Sequence, residues 1–486
     1  MLRRLLSLAI LALSAAPLAA QDADSVSFSA REAVNRALEA GDEVRLAAAR
    51  RDAVSAQVGV ARAGGLPQLR MAGTFNHVYE NARAQAVGQI FNQPNSYNVN
   101  FNLSMPLFQG GRVGAGLRGA RSLQGAAAAD VEESRAEVTV LVLRAYLTAL
   151  LADRLVAIQE TNLRQAEARL AQVEQLERAG RAARYDVLRA RVERANLEPA
   201  LIQARGDREL AFVELRRLLN LPADQPIRLT SGVDDEETRR LAAELEAAAA
   251  TADTAAFAAL PAVRAADLRV TANRAAVSAA RADYLPSVSA FIQSGWQAFP
   301  LETTLPLRGG ALERVDCPEG SPADRVCTQQ NGGWFSDRSL GLQVSWPIFD
   351  GLRARSNVAQ AQANWTVARL QARIERESAV AEAQRAAAVL RRAQALSAAS
   401  GQTVGEAEEA FRLATLRYSR GMETQLAVSD AQLALLTART NQARATHELF
   451  LAVADAARAL GRPVPLPSGA PAPAVAPAPP APAPAN

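Results

Sequence analysis

Four stretches of the chain alternate apolar and polar residues with a period of two, the pattern of a strand that shows unlike faces to unlike surroundings. In residues 97–105, Tyr97, Val99, Phe101, Leu103 and Met105 share one face, and Asn98, Asn100, Asn102 and Ser104 share the other. Farther on, Leu340, Leu342, Val344 and Trp346 oppose Ser339, Gly341, Gln343 and Ser345. Two weaker runs set Leu69, Met71 and Phe75 against Gln68, Arg70 and Asn76, and Val288, Ala290, Ile292 and Trp296 against Ser289, Gln293 and Gln297. Each run is about ten residues long, the length of a tilted strand in a membrane barrel. A half-buried strand of a soluble sheet would show the same alternation, and no other segment reads as a strand.

The remaining pattern is helical. No proline occurs from Arg112 to Gly180 or from Arg353 to Gly421, and both stretches are rich in Ala, Leu, Arg, Glu and Gln. Leu163, Ala166, Leu170, Val173 and Leu176 mark one helical face. At about 1.5 Å per residue such a helix is roughly 100 Å long, which demands a coiled coil or the wall of a tube. Gly180 and Gly421 then mark sharp helix–turn–helix tips. Returning helices should run to about Asn220 and Leu460, with shorter helices near 44–63 and 262–284.

These elements occur twice. The segment Val99–Arg112, ending Pro-Leu-Phe-Gln-Gly-Gly-Arg, recurs as Gly341–Arg353, ending Pro-Ile-Phe-Asp-Gly-Leu-Arg. Pro106 and Pro347, Phe108 and Phe349, Gly110 and Gly351, Gly180 and Gly421, and Pro222 and Pro463 all stand 241 positions apart. Upstream, the Leu-Pro at 66–67 matches that at 285–286 with an offset of 219, so the second copy carries 22 extra residues before its Pro-Ile-Phe. The expected organisation is a leader at 1–20, a first strand–helix repeat at 21–222, a linker at 223–260, a second repeat at 261–463 and a Pro/Ala tail at 464–486.

Composition sharpens this. Arg3 and Arg4 precede a short apolar run and small residues at 19–20, the pattern of a secretory signal peptide. The chain has no Lys, so its 54 basic residues are all Arg; against 50 acidic residues they leave a net charge of +4, spread without a nucleic-acid stripe. Two His and two Cys leave little for a metal centre or a His-based triad, so no cofactor and no enzymatic activity are expected. Gly114-Ala-Gly-Leu-Arg-Gly119 fits G-x-G-x-x-G, but the strand before it alternates with Asn and is interrupted by Pro106, unlike a buried nucleotide-binding strand. His77 and His447 lack partner residues in the sequence and read as structural. Cys317 and Cys327 lie in the inserted segment and read as a loop disulfide in an exported chain, the alternative being two free thiols. The tail reads as disordered or polyproline-like.

Four strands cannot close a membrane barrel, for which eight is about the minimum, whereas three copies would supply twelve. The alternative is a trimeric coiled-coil stalk or adhesin without transport. The duplicated strand–helix unit, the Pro-Leu-Phe-Gln-Gly-Gly-Arg and Pro-Ile-Phe-Asp-Gly-Leu-Arg turns (Pro106, Gly110, Gly111, Pro347, Gly351), the paired Leu-Pro strand starts and the Gly-tipped hairpins resemble the TolC-like outer-membrane efflux channels over about residues 27–463. That resemblance implies a mixed α/β membrane protein. Four strands per chain would complete a trimeric twelve-stranded β-barrel in the outer membrane of a Gram-negative bacterium, continuing into a periplasmic α-helical barrel. It also implies a homotrimer that contacts outer-membrane lipid, a periplasmic adaptor and an inner-membrane efflux pump or ABC exporter docking near Gly180 and Gly421, and no nucleic acid.

The resemblance further assigns roles near the tips. A Tyr three residues before the second tip glycine and an Asp six after the first, here Tyr418 and Asp186, would form a hydrogen-bonded latch that holds the tube shut. A second family link uses an Arg where this chain has Glu423. Of two constricting acid positions, Ala427 replaces one and Asp430 retains the other. Three Asp430 carboxylates around a threefold axis would repel one another. Read without the resemblance, Asp186 and Asp430 are surface acids near a helix start.

Overall fold

The computed structural model describes residues 26–80, 82, 85, 94–233, 235–251, 256–300, 305, 312–315, 327–330 and 333–467. The leader, most of the Pro/Ala tail and Cys317 lie outside these residues; Cys327 is described only as the start of a short strand. In chain order the elements are β1 (Val26–Phe28), α1 (Ala30–Ala40), α2 (Asp42–Ala63), β2 (Gln68–His77), β3 (Asn95–Gln109), α3 (Arg112–Arg178), α4 (Arg184–Leu218), β4 (Ile227–Leu229) and α5 (Asp235–Thr251). They continue with α6 (Pro261–Arg281), β5 (Ser287–Ala298), β6 (Leu312–Val315), β7 (Cys327–Gln330), β8 (Trp334–Ser345), α7 (Arg353–Ser419) and α8 (Gln425–Ala459). The two long helices are the proline-free stretches, 67 residues each. Among the described residues no helix is long and apolar enough to cross a membrane. The chain divides into two compact units.

One unit comprises residues 47–131 and 261–377 and contains the alternating strands. They form one antiparallel sheet in the order β2-β3-β5-β8, with β2 and β8 as its edges. The register places like faces together: Leu69, Leu103, Ile292 and Leu340 form one row, and Arg70, Asn102, Gln293 and Ser339 form a row on the opposite face. Two glycines serve the polar face. A Cβ at Gly295 would strike the Asn100 side chain at 2.2 Å, and one at Gly341 would strike the Phe291 ring at 2.7 Å. Pro106, read from the sequence as interrupting the strand, lies within it. β3 runs on to Gln109 with a register shift between Pro106 and Phe108, the bulge by which a sheet accommodates a residue without an N–H.

The strand-to-helix turns need left-handed backbone. Gly110 and Gly111 have φ of 60° and 81°, and a side chain at Gly110 would meet the Ala282 carbonyl at 2.9 Å. In the second copy Gly351 has φ 68°, and Leu352, an L-residue at the position of Gly111, is held at 68° as well. Asp283 ties the two turns. It accepts from Asn357 Nδ2 at 3.1 Å and pairs with Arg112, contacts that hold its carboxyl below the ordinary range. Above the turns α3 packs on α6 through small residues, with Ala126, Ala129 and Ala265 buried beside Leu268. Arg269 pairs with Asp130 at 2.5 Å.

The other unit, built from 26–46, 132–260 and 378–467 of the described residues, is helical with one short parallel pair, β1 and β4. The sequence reading missed these strands because three residues are too few to display a period. They sit in a core with α1, α3 and α4 that includes Phe28, Val34, Val142, Phe212, Leu215, Ile227 and Leu229. Tyr146 is fully buried there, and its hydroxyl accepts from Ser231 N–H at 2.9 Å and lies 3.1 Å from the Phe28 carbonyl. Burial raises its pKa, so the group stays a neutral phenol that joins β1 to the segment just after β4. Within the segment read as a linker, α5 packs Ala242 and Leu245 against Leu390 of α7 and Leu449 and Val453 of α8. His447 of α8 is half-buried, its Nε2 has no partner among the described residues, and burial lowers its pKa, so the ring is neutral at pH 7.

Along the first hairpin, Asp153, Glu160, Glu167 and Glu174 of α3 recur every seven residues. They pair with Arg208, Arg205, Arg194 and Arg191 of α4. This is the flanking charge ladder of an antiparallel coiled coil, each exposed pair contributing about 0–1 kcal/mol.

Candidate functional site

The hairpin tips are built by local rules. At the end of α3, Arg181 N–H donates to the Leu176 carbonyl and Gly180 N–H to that of Glu177, both at 2.8 Å; Gly180 has φ 70°. At the end of α7, Met422 N–H donates to Arg417 and Gly421 N–H to Tyr418, both at 2.9 Å, with φ 74° at Gly421. Both are glycine-closed helix ends whose crossed hydrogen bonds satisfy the last carbonyls and reverse the chain.

The returning helices are capped differently. Asp186 Oδ2 accepts from Ala183 N–H at 3.2 Å, while Ala183 offers no hydroxyl in return. In the second copy Thr424 Oγ1 accepts from Ala427 N–H at 3.5 Å, and Ala427 offers no carboxylate. Each copy keeps one half of a reciprocal cap. Glu423 pairs with Arg417 at 3.5 Å, within its own tip.

Behind the tips lies a polar network that hydropathy did not reveal. Arg169 of α3 is 10% exposed. One of its nitrogens donates to Glu193 Oε1 of α4 and to Ser429 Oγ of α8, both at 3.2 Å; the other bonds Gln432 Oε1 of α8. Ser429 donates to Glu193 at 2.8 Å, and Gln432 Nε2 donates to Asn162 Oδ1 of α3 at 2.6 Å. Three helices from both copies are thus joined by one buried ion pair and its hydrogen bonds. Burial lowers the Arg169 pKa, and the Glu193 carboxylate opposes that shift. The buried line of α3 is therefore Asn162, Ala166, Arg169 and Val173, while Leu163 and Leu170 of the expected stripe are only half-buried. The sequence signal was a lone arginine three residues after Ala166 and four before Val173, on the inward face; its partners lie 24 to 263 positions away.

Tyr418 stands at the margin of this network. Its pKa is raised by burial and by the Asp186 carboxylate, with Arg169 acting the other way, so the three groups are electrostatic neighbours. Among the described residues no hydrogen bond joins Tyr418 to Asp186, whose carboxylate instead caps its own helix. Asp430 is exposed on α8, and Leu426 and Leu433, four before and three after it on the same face, are exposed too. Among the described residues there is no cluster of side chains able to hold a metal ion.

A sequence model of the outer membrane efflux protein family matches residues 33–221 and 254–462. No curated protein matches the chain. Among solved structures, the outer membrane protein VceC of Vibrio cholerae superposes with a TM-score of 0.67 at 21% identity, covering 90% of this chain and 97% of VceC. The CmeC outer membrane channel of Campylobacter jejuni gives 0.70 at 16% identity, with 89% and 85% covered. The open state of the MtrE outer membrane channel of Neisseria gonorrhoeae gives 0.64 at 20% identity, with 89% of each chain covered. The family match covers both copies and both hairpins, and the structural matches share the same fold: the chain belongs to the outer membrane efflux protein family.

Proposed function

We propose that three copies of this chain form a passive duct through the outer membrane, the exit of a tripartite efflux or type I secretion system. Twelve strands would close the barrel, since among the described residues both edges of the four-stranded sheet are without partners. An adaptor and an inner-membrane pump or exporter would dock at the periplasmic tips around Gly180 and Gly421 and supply the energy. The observation that carries this reading is the pair of Gly-closed hairpins, 241 positions apart, tied to one another by the Arg169 network. A device that opens needs two hairpins that move against a defined contact, and this is such a contact.

In this reading Tyr418 and Asp186 form the latch and Asp430 lines the constriction. Exposed leucines on either side of Asp430 would lower the local polarity around three like charges. Single-channel conductance in planar bilayers, with oligomer size measured in the same detergent, tests the proposal. A trimer with small, steady conductance is expected, and Tyr418→Phe with Asp186→Ala should raise it severalfold. A conductance indifferent to both changes would remove the latch, and a trimer that never conducts would favour a stalk.

A further inference from the structure

The face of the sheet that carries the apolar rows is interrupted at one place. Reading across the register, Leu69, Leu103, Ile292 and Leu340 are followed, one row toward the β5–β8 connection, by Met71, Phe101, Ser294 and Arg338, and then by Gly73, Val99, Trp296 and Ser336. Arg338 is exposed and stands on the apolar face with Ser294 directly opposite and Ser336 two residues along its own strand. Asp337 belongs to the other face. No acid occurs among the apolar-face positions of the four strands, and β2, the strand available to pair with β8 across a copy boundary, has none in Gln68–His77. Among the described residues Arg338 has no ion pair, and closure of a barrel from copies of this chain would not give it one.

Its height on the sheet is defined by aromatic residues. Trp346, exposed with its Nε1 donating to the Tyr284 carbonyl at 3.2 Å, lies at the end next to the helices. Phe75, Tyr97 and Trp334 form a row at the other end, with Phe75 stacked on Tyr97 at 4.7 Å and Tyr97 at 6.5 Å from Trp334. From Trp346 to Arg338 is eight residues, about 27 Å along a strand and roughly 21 Å along the membrane normal at a tilt near 40°. The apolar band of an outer-membrane barrel is about 25 Å tall, so Arg338 stands where the hydrocarbon ends. The upper aromatic row is about 10 Å higher, level with headgroups.

We propose that Arg338, flanked by Ser294 and Ser336, binds a phosphate of the outer-leaflet glycolipid, lipid A, on the membrane-facing side of the sheet. The guanidinium offers a planar fork of donors suited to phosphate, and the two hydroxyls add donors beside it. This rests on the duct reading, which places the loop-bearing end of the sheet outside the cell.

The test uses the full chain purified as its oligomer and reads retained lipid by native mass spectrometry, with thermal stability alongside. The probes are diphosphoryl lipid A, its dephosphorylated form and phosphatidylglycerol. Diphosphoryl lipid A should bind wild type about tenfold more tightly than Arg338→Gln, a loss typical of one charge-assisted contact, while Arg338→Lys keeps most of the affinity. Arg338→Gln removes a charge from an apolar face and should fold at least as well. Equal binding by wild type and Arg338→Gln would overturn the site, as would equal binding of phosphatidylglycerol or of dephosphorylated lipid A by wild type. An oligomer that fails to insert into vesicles would instead sink the membrane placement of the sheet.

Discussion

Replacing Arg169 by Met tests the network behind the tips. The side chain is 10% exposed and its partner Glu193 24%, so the pair is largely removed from water. Met keeps much of the apolar stem and removes the charge. Among the described residues Glu193 would retain only the Ser429 hydroxyl, and Gln432 Oε1 would lose the guanidinium. Breaking a buried ion pair from one side costs 3–5 kcal/mol, and because Glu193 keeps some access to water the low end, about 3 kcal/mol, applies. At 1.4 kcal/mol per factor of ten, that is roughly a hundredfold faster amide exchange wherever exchange needs the hairpins to part. Hydrogen exchange should show it in residues 184–195 and 425–436 and leave α6, in the other unit, unchanged. The double variant Arg169→Met with Glu193→Gln no longer strands a charge and should recover to within about 1 kcal/mol of wild type. A change under about threefold in the single variant would mean that the network holds nothing together, and equal acceleration in α6 would mean that the whole molecule was weakened.

Two further outcomes follow from the turns. Gly180→Ala meets open space and should cost only the left-handed penalty, about 1–2 kcal/mol, whereas Gly110→Ala also drives a Cβ into the Ala282 carbonyl and should cost about 3 kcal/mol or more; denaturant unfolding separates them. Asp283→Asn should lower stability at neutral pH and lose its effect in acid. A depressed carboxyl pKa stabilises the fold above its unfolded value, about 3.9, and that contribution disappears as pH falls through the still lower folded value. A pH-independent difference between wild type and Asp283→Asn would contradict this.

The duplicated architecture was legible because each of its signals is local. Alternation along 97–105 and 339–346 states which side chains share a face, and the absence of proline from 112 to 178 leaves nothing to break a helix. A glycine after a helical run closes the helix because only Gly adopts positive φ without strain, so Gly180 and Gly421 could be placed from sequence spacing. Arg338 was legible in the same sense, since two-residue counting from Leu340 already puts it on the apolar face, but its isolation needed the register that aligns it with Ser294 and Phe101. Tertiary structure alone decided three matters. It carried β3 through Pro106 because a bulge and pairing with β5 outweigh one missing donor. It formed β1 and β4 from segments about 200 residues apart in the chain, each too short to have a pattern. It turned Arg169 inward, because a charge can leave water only where partners stand ready, and those partners come from two separate stretches of sequence, around 193 and around 429–432. Spacing along one helix fixes its faces; which polar groups can be buried depends on what other helices bring to them.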